Sequence, residues 1–321
     1  MAGPRGCFTR ERAAVTVTPT RAALASVATA VLLGALKGYA AYRTGSVAML
    51  ASLADSLLDL VASLVTLAGV RIAAQPADAK HRFGHGKAEA LAALFQVALI
   101  SVSATFIAVR AVERFLSGEV AAQAEAGIAV SLIAIAATLA LTAYQRRAIT
   151  GSGSIAIRTD RLHYQSDLLL NAGVIAALVL DQYLALHGID PAFGIAIALW
   201  LLWGAWNGAN EAMGQLMDRE WPEEKRRAFV EIAAKEPGLE SLHDLRTRTS
   251  GAQDFAQFHI HLPGAMSVTT AHDVTEALEH RLETAFPGTE ILIHVDPAGQ
   301  IDQPGDPLRE ADEIEQLKDA R

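Results

Sequence analysis

Two carboxylates interrupt a stretch of the chain that otherwise holds no charge. Asp55 and Asp59 lie within Thr44–Val70, and they are the only charged residues there. Because they are four residues apart, both side chains project from the same face of a helix. A charged group deep in a membrane is costly and is retained mainly for function, and a bound cation would offset both charges. The alternative is a structural pair of carboxyl groups that hydrogen-bond to neighbouring helices.

A second apolar segment repeats this spacing with a different pair of side chains. His163 and Asp167 are four residues apart in Leu162–Leu180, which is otherwise free of charged residues. Two such helices facing each other would offer three carboxylates and one imidazole, a donor set that suits a tetrahedral divalent cation. The chain has one cysteine, which excludes a thiolate cluster and argues against Cu(I). The sequence therefore predicts a nitrogen and oxygen metal site between the two segments.

A short polar segment after the first pair carries three more ligand types. Asp78, His81 and His85 are spaced three and four residues apart within Gln75–Lys87. One proline and two glycines in the same segment disfavour a regular helix, so we expect a loop. The segment either holds a metal or is simply a solvated basic loop.

Six of the ten histidines lie in the last third of the chain, together with Asp296. On a strand, His259 and His261 would share one face, as would His294 and Asp296 on the next. This placement favours a second metal cluster over scattered surface histidines. The six histidines are His243, His259, His261, His272, His280 and His294.

The Asp55/Asp59 and His163/Asp167 pairs must be positioned by long apolar segments. A membrane helix needs about 20 mostly apolar residues, and six segments meet this requirement. They are Ala22–Tyr42, Thr44–Val70, Ala90–Val109, Ala126–Gln145, Leu162–Leu180 and Pro191–Asn210. We therefore predict an α-helical membrane protein with six transmembrane helices, followed by a small cytoplasmic α+β domain. The expected divisions are a cytoplasmic segment 1–19, a membrane domain 20–212, a metal-binding dimerisation domain 213–298 and an acidic, disordered tail 299–321.

The cytoplasmic domain is predicted to run helix, strand, strand, helix, strand, with both helices on one face of the sheet. The expected elements are a helix at Glu223–Lys235, strands at Ser241–Thr249 and Asp254–Leu262, a helix at Val268–Phe286 and a strand at Glu290–Val295. Beyond Pro297 we expect disorder, interrupted by a short helix near Leu308–Leu317.

Charge is divided unevenly along the chain. Residues 212–321 hold 22 acidic and 11 basic residues, a net charge of −11, whereas residues 1–211 have a net charge of +3. Only 19% of residues are charged and 51% are hydrophobic, which excludes a disordered chain and argues against a soluble enzyme. Basic residues in short loops face the cytoplasm, so both termini are expected there. The predicted loop after the fourth span contributes Arg146, Arg147, Arg158 and Arg161.

Several motifs together resemble the cation diffusion facilitator family, and within it the bacterial ferrous-iron and zinc efflux branch. They are the segment 45–59 that ends in Asp55-Ser-Leu-Leu-Asp59, the loop Phe83-Gly-His85-Gly-Lys87-Ala-Glu, His163-Tyr-Gln-Ser-Asp167, His243-Asp-Leu-Arg-Thr-Arg and Ile293-His294-Val-Asp296-Pro. The resemblance covers about residues 20–298. It implies a ferredoxin-like cytoplasmic domain and a homodimer in the bacterial inner membrane.

The resemblance also implies three metal sites and a charge pair. The transport site would be Asp55, Asp59, His163 and Asp167. The loop site would be Asp78, His81 and His85. The cytoplasmic cluster would be His243, His259, His272, His294 and Asp296, and His261 is extra to this pattern. Lys87 and Asp218 match a charge pair near the dimer interface.

The expected function is proton-coupled efflux of divalent metal cations, most of all Zn(II) and also Cd(II) or Fe(II), by alternating access. Carboxylates and imidazoles must lose protons to bind metal, so a pH difference across the bilayer can drive transport. No nucleotide-binding motif is present, which argues against ATP drive. The net charge of −8 argues against nucleic acid as a partner. Two alternatives stay open: an intramembrane metalloenzyme, such as a hydrolase, and a metal sensor without transport.

Overall fold

The computed structural model describes residues 17–44, 47–117, 128–184, 189–237, 239, 241–298 and 312–319. Six long helices come first, and a mixed helix and strand region follows them. The long helices are α1 (Pro19–Thr44), α2 (Val47–Ala73), α3 (Lys87–Ser117), α4 (Ile128–Ser152), α5 (Ile155–Leu184) and α6 (Ile189–Leu216). The elements that follow are α7 (Glu223–Ala233), β1 (Leu242–Ser250), β2 (Gln253–Leu262), α8 (Val268–Ala285), β3 (Thr289–Pro297) and α9 (Glu313–Asp319).

The chain divides into two compact units. The membrane unit comprises residues up to 74 together with 88–210, and the cytoplasmic unit comprises 75–87 together with 211 onwards. Within the described residues, four helices are long and apolar enough to cross a membrane: α1, α2, α3 and α6. The first and last predicted divisions, 1–19 and 299–321, lie largely outside the described residues.

The two remaining long helices, α4 and α5, carry arginines that were predicted to lie in a loop. That prediction was wrong, because α4 continues to Ser152 and α5 already begins at Ile155, so all four arginines are helical. Arginine has a good helix propensity, and its long side chain lets the charged end reach the polar edge of a bilayer. A helix can therefore continue well beyond its apolar stretch.

Small residues let the membrane helices approach closely. A Cβ on Gly69 of α2 would lie 2.4 Å from the Cβ of Ala92 on α3. Similarly, a Cβ on Gly204 of α6 would lie 2.8 Å from a methyl carbon of Leu162 on α5. Such small-residue contacts are typical of helix packing in lipid, where burial of apolar surface gives little driving force.

The cytoplasmic unit has the predicted order of elements around a three-stranded sheet, β1-β2-β3. β1 pairs with β2 in the antiparallel sense, and β2 pairs with β3 in the parallel sense across α8. Phe258 and Ile260 of β2 share a buried core with Leu278 and Leu282 of α8. Both helices, α7 and α8, therefore cover one face of the sheet, and the alternate residues of each strand occupy the other.

The short helix expected near Leu308–Leu317 begins at Glu313 and ends at Asp319. Ile314 is only 5% exposed and belongs to the core of the cytoplasmic unit. A carboxylate oxygen of Glu313 lies 2.7 Å from a guanidinium nitrogen of Arg226 on α7. The described part of the tail is thus packed against the domain, and residues 299–311 lie outside the described residues.

Candidate metal centres

Three of the four residues of the Asp55/Asp59 and His163/Asp167 pairs come together between α2 and α5. A ring nitrogen of His163, Nε2, lies 3.0 Å from a carboxylate oxygen of Asp59. One ligand atom from each of Asp59, His163 and Asp167 lies within 4.8 Å of the other two. His163 is only 7% exposed, so this donor set is largely shielded from solvent within the membrane unit.

Asp55 does not join this group of three. It lies one turn before Asp59 on α2 and its side chain is exposed. Two carboxylates on one helix face repel each other unless a cation lies between them, and this repulsion favours rotamers that separate them. The structure therefore brings together three of the four predicted transport ligands.

Sequence analysis missed a buried carboxylate one turn before His163. Asp160 is fully buried and accepts three hydrogen bonds from three other helices. Ser26 Oγ donates to Oδ2 at 2.6 Å, Gln145 Nε2 donates to the same oxygen at 2.8 Å, and Gln96 Nε2 donates to Oδ1 at 3.0 Å. A carboxylate acts only as an acceptor, so this one side chain can receive all three hydrogen bonds. This network joins α1, α3 and α4 to the helix that carries His163.

A tyrosine extends this network towards α2. The hydroxyl of Tyr164 lies 2.9 Å from the Ser63 hydroxyl and donates to the carbonyl oxygen of Ser26 at 3.1 Å. The ring of Tyr164 meets the ring of His163 edge-on, with centroids 5.6 Å apart. Tyr164 is 1% exposed, so it fixes the rotation of α5 next to the metal-ligand group.

The loop ligands also come together, in the cytoplasmic unit. His81 Nδ1 lies 3.2 Å from a carboxylate oxygen of Asp78, and His85 Nε2 lies 3.0 Å from His81 Nδ1. The segment is a loop as predicted. The backbone N–H groups of His81 and Lys80 donate to Asp78 and hold the pKa of its carboxyl below the ordinary value. The carboxylate therefore stays ionised and available to a cation in mildly acidic conditions.

The loop rests against the turn between β1 and β2. A Cβ on Gly86 would lie 2.1 Å from the carbonyl oxygen of Ser250, so only glycine allows this approach. The guanidinium carbon of Arg248 lies 4.5 Å from the ring centre of Phe83 and 4.6 Å from that of Phe255. These two cation–π contacts and the close backbone contact fix the loop to the sheet.

The predicted charge pair is formed within one chain. Lys87 Nζ lies 3.0 Å from a carboxylate oxygen of Asp218 and donates to the carbonyl oxygen of Leu216 at 3.3 Å. Arg248 also approaches Asp218, at 3.6 Å. Asp218 has a positive φ of 53°, which aspartate tolerates better than most residues. The pair thus secures the chain just after α6.

The strand histidines of the cytoplasmic unit form a row across the face of the sheet opposite α7 and α8. In the strand register His243 pairs with His259, and His259 pairs with His294. Asp296 lies among them, with carboxylate oxygens 2.9 Å from His259 Nδ1, 3.7 Å from His243 Nε2 and 3.3 Å from His294 Nε2. Ligand atoms of His243, His259 and Asp296 lie within 4.8 Å of one another.

A bulge in β1 adds a carboxylate that sequence analysis missed. The β1–β2 register shifts between His243 and Arg246, and Asp244 has a positive φ of 54°. A bulge re-aims a side chain that would otherwise point to the opposite face. A carboxylate oxygen of Asp244 lies 3.8 Å from His259 Nε2, on the side of His259 away from Asp296.

The other predicted histidines divide into two groups. His261 lies next to the cluster, with its ring centre 4.5 Å from that of His243. His272 and His280 lie on exposed positions of α8, the helix that covers the other face of the sheet. His272 is therefore outside the group of three in one chain, and the five-residue set that the resemblance implies is not assembled within a single subunit.

The three groups share one donor chemistry. Each combines imidazole nitrogen with carboxylate oxygen and has no sulfur donor within the described residues. Such sites suit Zn(II) and related divalent cations, and they must release protons on binding. They differ in environment: the first is buried among membrane helices, and the other two lie in the cytoplasmic unit.

Comparison with known proteins agrees with this architecture. Residues 23–217 match the family model for the cation efflux transmembrane domain, and residues 221–298 match that for the cytoplasmic domain of cation efflux proteins. The chain is 42% identical over 282 residues to the cation-efflux pump FieF of Cronobacter sakazakii, covering 88% of this chain and 94% of that protein. It is 40% identical over 286 residues to FieF of Escherichia coli, covering 89% and 95%.

A solved structure resembles the cytoplasmic unit alone. The metal-bound C-terminal domain of the CzcD transporter from Thermotoga maritima is 25% identical and covers 26% of this chain and 99% of that domain, with a TM-score of 0.24.

Proposed function

This chain belongs to the cation diffusion facilitator family of cation efflux proteins, and we propose that it exports Zn(II), and also Cd(II) or Fe(II), in exchange for protons. Divalent metal cation efflux and location in a membrane follow from the family, from the relatives and from the apolar helices. The choice of metal, the proton coupling and the assignment of residues are our proposal. We place the transport site at Asp59, His163 and Asp167, with Asp55 as the fourth ligand.

The buried group between α2 and α5 carries this proposal. Its ligand atoms already lie within 4.8 Å of one another, so a cation needs only small side-chain adjustments to be bound. Metal and protons compete for the same imidazole and carboxylate groups. A site facing the cytoplasm at higher pH would load metal, and the same site facing a more acidic exterior would take up protons and release it. Imidazole is the ligand whose ordinary titration range lies nearest neutrality, which makes His163 the main coupling residue.

The proposal extends to the oligomeric state, the membrane topology and the domain bounds. We propose a homodimer in the bacterial inner membrane, both termini in the cytoplasm, a membrane domain 20–212 and a cytoplasmic domain 213–298. The histidine row on the sheet face opposite α7 and α8 supports metal-dependent association of two cytoplasmic units, with His272 contributed across the interface. Metal held by Asp78, His81 and His85 would stiffen the loop that rests against the β1–β2 turn.

Flux measurements in proteoliposomes test this function. Purified protein is reconstituted with an imposed pH gradient, and Zn(II), Cd(II), Fe(II) and Mn(II) uptake are measured separately. We expect Zn(II) flux that rises with the gradient and is abolished in Asp59→Asn and Asp167→Asn. Glu113→Gln, an exposed carboxylate of α3 that pairs only with Arg110 at 3.5 Å in the described structure, is the matched control and should transport normally.

Two results would contradict the proposal. Zn(II) flux that is independent of the pH gradient would exclude proton coupling but would leave metal efflux as the function. Normal flux in folded Asp59→Asn and Asp167→Asn variants would show that the transport site is assigned to the wrong residues.

A further inference from the structure

A basic pocket opens between α4 and α5 in the membrane unit. Its volume is about 820 Å³, and the residues that line it include three arginines, Arg146, Arg147 and Arg161. Leu139 and Leu168 line its apolar part. We infer that this pocket binds the phosphate headgroup of an anionic phospholipid, with an acyl chain along the two leucines.

Uncompensated positive charge is the first argument. The described residues that line the pocket include no aspartate or glutamate. Arg146 and Arg161 are close enough for their like charges to repel each other. Arg161 Nε donates to the carbonyl oxygen of Thr142 at 3.2 Å, which anchors this guanidinium at the wall and leaves its terminal nitrogens for a ligand. Guanidinium groups bind phosphate oxygens in a two-pronged geometry, so a phosphate would offset the repulsion and use these donors.

The apolar part of the lining favours a lipid over a free anion. Leu139 is 50% exposed and extends the pocket along α4, away from the arginines. A soluble phosphate would leave this surface uncovered, whereas an acyl chain would bury it. Basic pockets between membrane helices are known sites for anionic headgroups on the cytoplasmic side, and the arginines lie where α4 ends and α5 begins.

Lipid titration of the full chain tests this inference. Purified protein is titrated with phosphatidylglycerol or phosphatidylcholine in detergent, and the bound lipid is counted by native mass spectrometry. We expect preferential binding of phosphatidylglycerol, weakened about 30-fold in Arg146→Gln/Arg147→Gln, because each arginine near an anionic headgroup contributes about fivefold. Arg43→Gln/Arg71→Gln removes two exposed arginines of α1 and α2 that do not line the pocket, and should bind as the wild type does.

A charge-preserving variant separates binding from folding. Arg146→Lys/Arg147→Lys should keep most of the phosphatidylglycerol binding and the wild-type thermal midpoint. Equal binding of both lipids, or unchanged binding in Arg146→Gln/Arg147→Gln, overturns the inference. Complete displacement of phosphatidylglycerol by millimolar inorganic phosphate or glycerophosphoglycerol would make the ligand a soluble phosphate, and the lipid assignment would be wrong.

Discussion

Replacing the buried carboxylate of Asp160 by an amide should destabilise the membrane unit. Asp160→Asn keeps the shape of the side chain, but an amide offers one acceptor oxygen where the carboxylate offers two. Ser26 and Gln145 donate to one oxygen and Gln96 donates to the other. In the variant, an N–H group must therefore face at least one of these donors.

The magnitude follows from the number and kind of bonds. Hydrogen bonds to a charged group contribute about 1.5–3 kcal/mol each, and bonds between neutral groups about 0.5–1.5 kcal/mol. Losing one bond and weakening two gives about 3.5–6 kcal/mol. Hydrogen bonds measured between membrane helices average about 0.6 kcal/mol, so on that scale the complete loss of all three would cost about 2 kcal/mol.

Reversible unfolding in mixed detergent micelles measures this effect. The tryptophans of α6 report on the membrane unit through their fluorescence. Glu113→Gln makes the same chemical change at a carboxylate that is 60% exposed, and an exposed pair of this kind contributes about 1 kcal/mol or less. Gln145→Leu should destabilise the Asp160→Asn variant much less than it destabilises the wild type.

The result that refutes this reasoning is a free energy of unfolding for Asp160→Asn equal to that of the wild type. It would mean that the carboxyl group is neutral in the native protein, or that the three donors find water instead. Reduced Zn(II) affinity in a variant of normal stability would instead assign Asp160 to the metal site itself.

Four further predictions concern the metal groups. His163→Asp replaces a nitrogen ligand by a hard oxygen, and should admit Mn(II) in the flux assay; if Mn(II) stays excluded while Zn(II) is carried, His163 does not set selectivity. Gly86→Ala should detach the loop from Ser250 and expose it to proteases, whereas Gly264→Ala, whose Cβ would lie 3.5 Å from Pro297, should leave cleavage unchanged. The pKa of Asp78 is lowered, so the ionised carboxylate stabilises its turn at any pH above the ordinary aspartate pKa of about 3.9. This stabilisation is lost only when the pH falls through the lowered pKa. Hydrogen exchange at the His81 amide, corrected for the intrinsic rate, should therefore be constant from pH 7 to pH 5. Zn(II) should make the fragment 212–321 more compact or more dimeric at neutral pH, because it offsets a net charge of −11. Small-angle scattering that is unchanged by Zn(II) would mean that the histidines are surface residues and not a metal cluster.

Regular spacing made much of this architecture predictable. Four-residue spacing placed His163 and Asp167 on one helix face, and two-residue spacing placed His294 and Asp296 on one face of a strand. These periodicities depend only on local backbone geometry, which the sequence specifies directly. The order of elements in the cytoplasmic unit was readable for the same reason.

The residues that were missed depend on features without a local signal. Asp160 lies between arginines in a segment predicted to be a loop, and its three donors come from helices distant in the sequence. Asp244 joins His259 through a bulge, and no spacing rule encodes a bulge. His272 was expected in the cluster, yet the helix that carries it covers the opposite face of the sheet.

The parallel pairing of β2 with β3 has a consequence for how the protein is made. The β1–β2 hairpin brings His243 and His259 together early, but Asp296 arrives only after α8 has crossed the sheet. Closing this longer connection is the slow, entropically costly step in assembling such a sheet. A ribosome-bound chain that stops before residue 296 thus lacks the carboxylate that joins the histidines. Full assembly of this cluster therefore requires synthesis of the chain through Asp296.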